Sequence, residues 1–147
     1  NVENAFEKVL NMDNPTEARK IIESILGGEV SSKNIVKVLR VPFTLVLLGF
    51  KPEEYFVEIL RKTREAFSEY EDTFKNYAKF YIAYRVASAI VKGEVKSRVE
   101  KEALKKALVV KLGLGKAAPS DRYIFDIARE VLRVPVNVLK KTLRVST

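Results

Sequence analysis

Asp126 and Glu130 stand four residues apart, a spacing that puts two carboxylates on one face of a helix. Metal-assisted hydrolysis would need two or three such groups to converge, and the other candidates are Asp121 and the cluster Glu69, Glu71 and Asp72. Arg122 and Arg129 give the first pair a simpler role in surface ion pairs. Little else could do covalent or acid/base chemistry. The 147 residues include no His and no Cys, which removes imidazole catalysis, thiolate nucleophiles, disulfides and most zinc and haem sites. Gly113-Leu114-Gly115-Lys116 lacks the four-residue span and the Ser/Thr of a phosphate loop, and no strand pattern precedes it. It reads as a flexible hinge. No catalytic residue, metal or cofactor is expected, and the chain reads as a non-enzyme.

The chemistry that remains is cationic. Lys and Arg total 27 against 19 Asp and Glu, for a net charge of +8. Residues 1–91 hold 13 of each sign, so residues 92–147 keep 14 cations against 6 anions and carry the whole excess. A neutral stretch followed by a basic one suggests a scaffold joined to a region attracted to polyanions. Lys-rich decoration of a heat-adapted surface would produce the same count. The absence of Cys and Gln beside abundant Lys and Glu points to a thermophilic prokaryote, an archaeon first, and to the cytoplasm.

Within the basic region, Arg98, Lys101 and Lys105 fall on one helical stripe, with Lys106 beside it, and suit phosphate contact. Glu100 and Glu102 are near enough in sequence to pair with Lys105 and Lys106. Phe74, Tyr77, Phe80, Tyr81 and Tyr84, interleaved with Lys75, Lys79 and Arg85, could stack unpaired bases. Their three-four spacing reads more simply as core with tyrosine hydroxyls at its edge.

The elements that must position these groups are helical almost throughout. A first helix covers residues 1–11. Asn14-Pro15-Thr16-Glu17 caps and opens a second, which Gly27-Gly28 stops. Ser31 or Ser32 starts a third, which Pro42 is expected to interrupt before a short apolar helix to Leu48. Lys51-Pro52-Glu53-Glu54 opens a longer helix to about Phe67; a bend at 69–72 leads into a helix over 73–91. Ser97 caps a basic helix through Val99, Ala103, Leu104, Ala107 and Leu108. Ser120-Asp121 starts the seventh, burying Ile124, Ile127, Ala128 and Val131. Pro135 opens a last helix with Val136, Leu139 and Leu143 as anchors. The expected fold is all-α: a single domain over 1–147, a compact bundle of about eight helices.

Two internal similarities stand out. Ile25–Leu39 and Ile90–Leu104 share Ile, Gly-Glu-Val, Ser and Leu at equal offsets, and Val38-Leu39-Arg40-Val41-Pro42 recurs as Val131-Leu132-Arg133-Val134-Pro135. Their spacings differ, so no solenoid is implied. Each reads as a helix, a tight turn and a helix.

The final pair, Ile127-Ala128, a turn at Leu132-Arg133-Val134, then Pro135 to Arg144, resembles in part the helix-turn-helix layout of DNA-binding proteins. Leu132 stands where the turn glycine belongs, and the turn is one residue too long for that layout. The resemblance implies a second helix presenting Asn137, Lys140, Lys141 and Arg144 to a groove, with Arg133 at its approach. Without it, the pair is an α-hairpin with a solvated basic face.

Two functional readings lead. In the first, residues 92–147 bind nucleic acid, chiefly through phosphates. In the second, the chain is a protein-interaction or homo-oligomeric module docking through the uncharged run 41–50, and the basic end only solubilises it. A role at an anionic membrane surface is a third. The run 41–50 is about half the length of a membrane-spanning helix, so no span is expected.

Overall fold

In the computed structural model, which describes residues 1–28 and 30–145, side-chain caps start five helices. Asn1 accepts from the Asn4 N–H (3.0 Å) and begins α1 (Val2–Leu10). Asn14 accepts from Thr16 (2.8 Å), with Pro15 as the first residue of α2 (Pro15–Leu26). Ser31 accepts from Asn34 (3.2 Å) to open α3 (Ser32–Leu47). Ser97 and Ser120 do the same for α6 (Arg98–Leu112) and α7 (Asp121–Glu130), each at 3.1 Å. Each oxygen satisfies an amide that the first helical turn leaves without a partner. The remaining helices are α4 (Glu53–Ala66), α5 (Glu71–Val91) and α8 (Val136–Leu139), and no strand forms among the described residues. The all-α expectation holds.

The contacts divide the chain into two compact units, Asn1–Phe74 and Lys75 onward. In the first, α4 packs on α1, α2 and α3, and α1 packs on α2 and α3, around Phe6, Ile22, Ile35, Phe56 and Ile59, each at most 1% exposed. Each such side chain contributes about 1.5–3 kcal/mol of hydrophobic free energy. Its acids act as struts. The Arg19 guanidinium lies over the Phe67 ring, grips both oxygens of Glu69 (2.9 and 2.6 Å) and donates to the Ala66 carbonyl at the end of α4. Arg64 pairs with Glu71. Glu69 and Glu71 of the acidic cluster are thus taken by Arg19 and Arg64, and no group of carboxylates suited to a metal occurs among the described residues.

Pro42 does not interrupt α3; the helix runs through it to Leu47. The missing proline N–H costs one backbone hydrogen bond. Pro42 and Phe43 are buried, and the Phe43 ring meets Phe56 edge-on at 5.7 Å, so continuing the helix puts apolar surface inside. Beyond Leu47 the chain surfaces, with Leu48 and Phe50 65% and 72% exposed.

The second unit is built on the rest of α5 with α6, α7 and α8. Tyr77 and Tyr81 are buried, and Phe80 and Tyr84 are half-buried against each other, so the aromatic stripe is core. Gly93, with a φ of 75° beyond the end of α5, and Gly113, with a φ of 63° at the end of α6, occupy left-handed positions that favour glycine. The Gly-Glu-Val similarity is a shared device only in part: a glycine follows α2 (Gly27) and α5 (Gly93) and a serine caps the next helix, but the capping serine of α3 is Ser31, whereas the residue matched to Ser97 is Ser32. Glu29, in its first copy, lies outside the described residues.

The Val-Leu-Arg-Val-Pro repeat is not such a device. Its first copy lies wholly within α3, while its second is a loop in which Arg133 has a φ of 60°.

Candidate nucleic-acid interface

The basic helix α6 is turned differently from its apolar spacing. Lys101, Leu108 and Leu112 point inward, while Val99, Ala103 and Ala107 are exposed. Lys101 is 1% exposed, and its ammonium donates to both oxygens of Asp121 (2.8 and 2.7 Å) and to Glu102 (2.6 Å). Lys101 therefore leaves the set of phosphate-binding candidates, because an inward, doubly paired ammonium cannot reach a polyanion. Lys105 lies partly covered at 3.8 Å from the same Asp121. Arg98, at the start of α6, is exposed and makes no ion pair among the described residues.

Asp121 also accepts the backbone N–H of Arg144 at 2.8 Å. One carboxylate at the first turn of α7 thus holds α6 and the chain beyond α8 together. Burial works against its ionisation, but the Arg144 N–H, the Lys101 ammonium and the Lys105 charge outweigh that and hold Asp121 below the usual carboxylate range. Its place at a helix N-terminus acts in the same direction. The sequence marks Asp121 as a helix start and a candidate metal ligand, and gives no sign of this role.

The last expected helix is much shorter than its spacing predicts. α8 ends at Leu139, four residues and about 6 Å long. Leu139 and Leu143 are buried as the anchors they were expected to be, but a turn joins them. Thr142 gives both its N–H (3.1 Å) and its hydroxyl (3.3 Å) to the Leu139 carbonyl, while Asp121 draws off the Arg144 amide. Asn137 is exposed on α8, and Lys140, Lys141 and Arg144 are exposed on the turn after it. They do not form one face of a long recognition helix. The left-handed residue of the preceding loop is Arg133, one place after the expected glycine position at Leu132. Arg133 is exposed, and the Val134 N–H beyond it bonds back to the Ala128 carbonyl (3.0 Å).

The structure therefore brings Lys105 and the Arg144 backbone to one carboxylate, with Lys140 and Lys141 in the adjoining turn. Elsewhere in the unit, Arg122 takes Asp126 at 3.3 Å, as the i, i+4 spacing suggests, and Lys79 rests over the Tyr123 ring at 4.9 Å.

Residues 1–143 match the family model described as an uncharacterised protein conserved in archaea, DUF2192. The chain belongs to this family. No curated protein and no solved structure matches it. For this DUF2192 chain the charges and their geometry carry the functional reading. Among its described residues no helix is long and apolar enough to cross a membrane.

Proposed function

We propose that this protein binds nucleic acid through the cations of its second unit, mainly by phosphate contact, and that it is not an enzyme. One observation carries the reading: the structural boundary separates the charges more sharply than the sequence alone does. Residues 1–74 hold 10 cations and 13 anions, and residues 75–147 hold the other 17 and 6, so the units carry −3 and +11 of the total +8. Of those six carboxylates, Glu102, Asp121 and Asp126 are already engaged by Lys101, Lys105 and Arg122. Arg98, Arg133, Lys140, Lys141 and Arg144 are exposed without an ion pair among the described residues. Such cations gain affinity by releasing counterions condensed on the phosphates.

With these five as the contact set, log affinity falls with log salt at a slope of about −4.5. Fluorescence anisotropy with labelled duplex and single-stranded oligonucleotides at low salt tests this directly. No binding to either would end the reading. The short α8 favours backbone contact over base reading, so little sequence preference is expected.

A second reading rests on Leu48 and Phe50, whose exposure in an otherwise anionic unit fits a docking surface for another protein. Replacing both with Ser should leave nucleic-acid affinity unchanged and abolish any association made through this patch.

A further inference from the structure

The outward turn of α6 leaves an apolar strip without a partner. Val99 and Val110, at 79% and 74% exposure, are the most exposed large apolar side chains among the described residues. Ala103 and Ala107 are exposed between them, and steps of four, four and three residues put all four on one strip of the helix. The inward side of the same helix accepts a lysine. A helix that buries Lys101 while presenting two valines to water is unfavourable on both sides as an isolated surface.

The charges beside the strip say what covers it. Glu100 and Glu102 flank its first half; Lys106 and Lys111 flank its second. Glu102 uses one oxygen on Lys101, and Glu100 accepts from the Ser97 hydroxyl and the Lys96 N–H (3.3 Å each). Lys106 is exposed and forms no ion pair among the described residues, although its i, i+4 spacing from Glu102 would permit one. We infer that the strip packs against α6 of a second copy of this chain, the two helices antiparallel about a twofold axis near Leu104 and Lys105.

That arrangement is self-complementary at every position of the strip. Val99 of each copy lies opposite Val110 of the other, and the alanines at the centre let the backbones approach closely. Glu102 meets Lys106 of the second copy on one flank, and Glu100 meets Lys111 on the other. In an antiparallel pair like flanks face each other, which is why the reversal of charge along the helix matters. A parallel pair would set Glu on Glu and Lys on Lys, a repulsive arrangement. One helix pair buries less than the roughly 1,200 Å² of a standard stable interface, so the dimer is weak and dissociates on dilution. The inference stands on α6 alone and does not depend on nucleic-acid binding.

Because the chain has no cysteine, oxidative crosslinking has no background. Full-length Val99→Cys and Val110→Cys chains, both altered at exposed positions, are oxidised mildly, separately and as an equal mixture. The antiparallel pair predicts disulfide dimers in the mixture alone, because two copies of Val99 lie about 16 Å apart along the axis. Sedimentation equilibrium of the unmodified chain should show a concentration-dependent dimer, and Ala103→Glu should weaken it at least about tenfold. Equal crosslinking in each chain alone would overturn the proposal. So would a strict monomer, or a dimer that Ala103→Glu leaves intact and Phe50→Ser removes.

Discussion

Lys101 and Asp121, twenty residues apart in sequence, form a two-point ion pair with N–O distances of 2.8 and 2.7 Å, and the lysine is almost wholly inside the protein. Both ends of the pair are tied further, Lys101 to Glu102 and Asp121 to the Arg144 amide. A buried pair of this kind adds little over an apolar pair of the same shape, but losing Asp121 leaves the buried ammonium held by the largely exposed Glu102 in place of two close carboxylate oxygens. Asp121→Asn should therefore cost about 3 kcal/mol in urea denaturation. Lys101→Met in the Asp121→Asn background should recover most of the loss. If the Asp121→Asn penalty is the same whether residue 101 is Lys or Met, the two groups are not coupled.

The same carboxylate sets an acid limit. The folded pKa of Asp121 lies below its ordinary value of 3.8, so folding favours the ionised form. The resulting stability is complete above the unfolded value and is lost as pH falls through the folded one. The window is below about pH 4. Glu58 and Glu69 are lowered as well, Glu58 by its hydrogen bond to Arg61 and Glu69 by that to Arg19, and their contributions decline over the corresponding carboxylate range. Asp121→Asn should flatten the fall in melting temperature between pH 5 and pH 3, relative to wild type. An unchanged slope would mean that Asp121 titrates alike in the folded and unfolded chain.

Tyr55 gives the opposite case at high pH. Burial, with help from Glu7 and Glu3, pushes its hydroxyl up to about 12, and that oxygen has no hydrogen-bond partner among the described residues. A raised phenol favours the folded state fully below the unfolded value, and this contribution is lost as pH rises from about 10 towards 12. Absorbance titration at the phenolate band should show Tyr55 ionising after the exposed tyrosines, and Tyr55→Phe should remove that late step. Because the buried hydroxyl satisfies nothing, Tyr55→Phe should also be neutral or stabilising, by up to about 1 kcal/mol. A loss of stability would show that the oxygen has a partner.

How far the fold can be read from the sequence depends on whether each signal is local. The five caps are local: a short polar side chain and the amide two or three residues on suffice, and Asn14, Ser97 and Ser120 are where the sequence puts them, with Ser31 one of the two serines it offers. The pentapeptide Val-Leu-Arg-Val-Pro has the same propensities in both copies and takes two conformations. The residues after each proline make the difference. Phe43 and the apolar residues after Pro42 have a core to enter, whereas Asn137, Lys140 and Lys141 after Pro135 have none. Lys101 had a legible signal, since it stands seven and eleven residues before Leu108 and Leu112 on one face. The competing stripe of Val99, Ala103 and Ala107 looked more apolar and hid it. Asp121, which decides between the two, is too distant in sequence to appear in any local pattern. The charge division was legible by counting; its boundary at Phe74 was not, because it depends on contacts.

Arg133 offers a test in which stability and binding move in opposite directions. Its φ of 60° is left-handed, where an L side chain crowds the carbonyl oxygen and costs about 1 kcal/mol or more. Glycine removes that crowding but adds freedom to the unfolded chain, so Arg133→Gly should gain up to about 1 kcal/mol. The exposed guanidinium is also one of the five cations assigned to phosphate contact. Arg133→Gly should therefore raise the melting temperature while making the salt dependence of nucleic-acid affinity shallower by about 0.9. Arg133→Lys keeps the charge and the crowding, so it should change neither quantity much. A glycine variant that melts higher and binds with the wild-type salt slope would keep the turn geometry and remove Arg133 from the phosphate contacts.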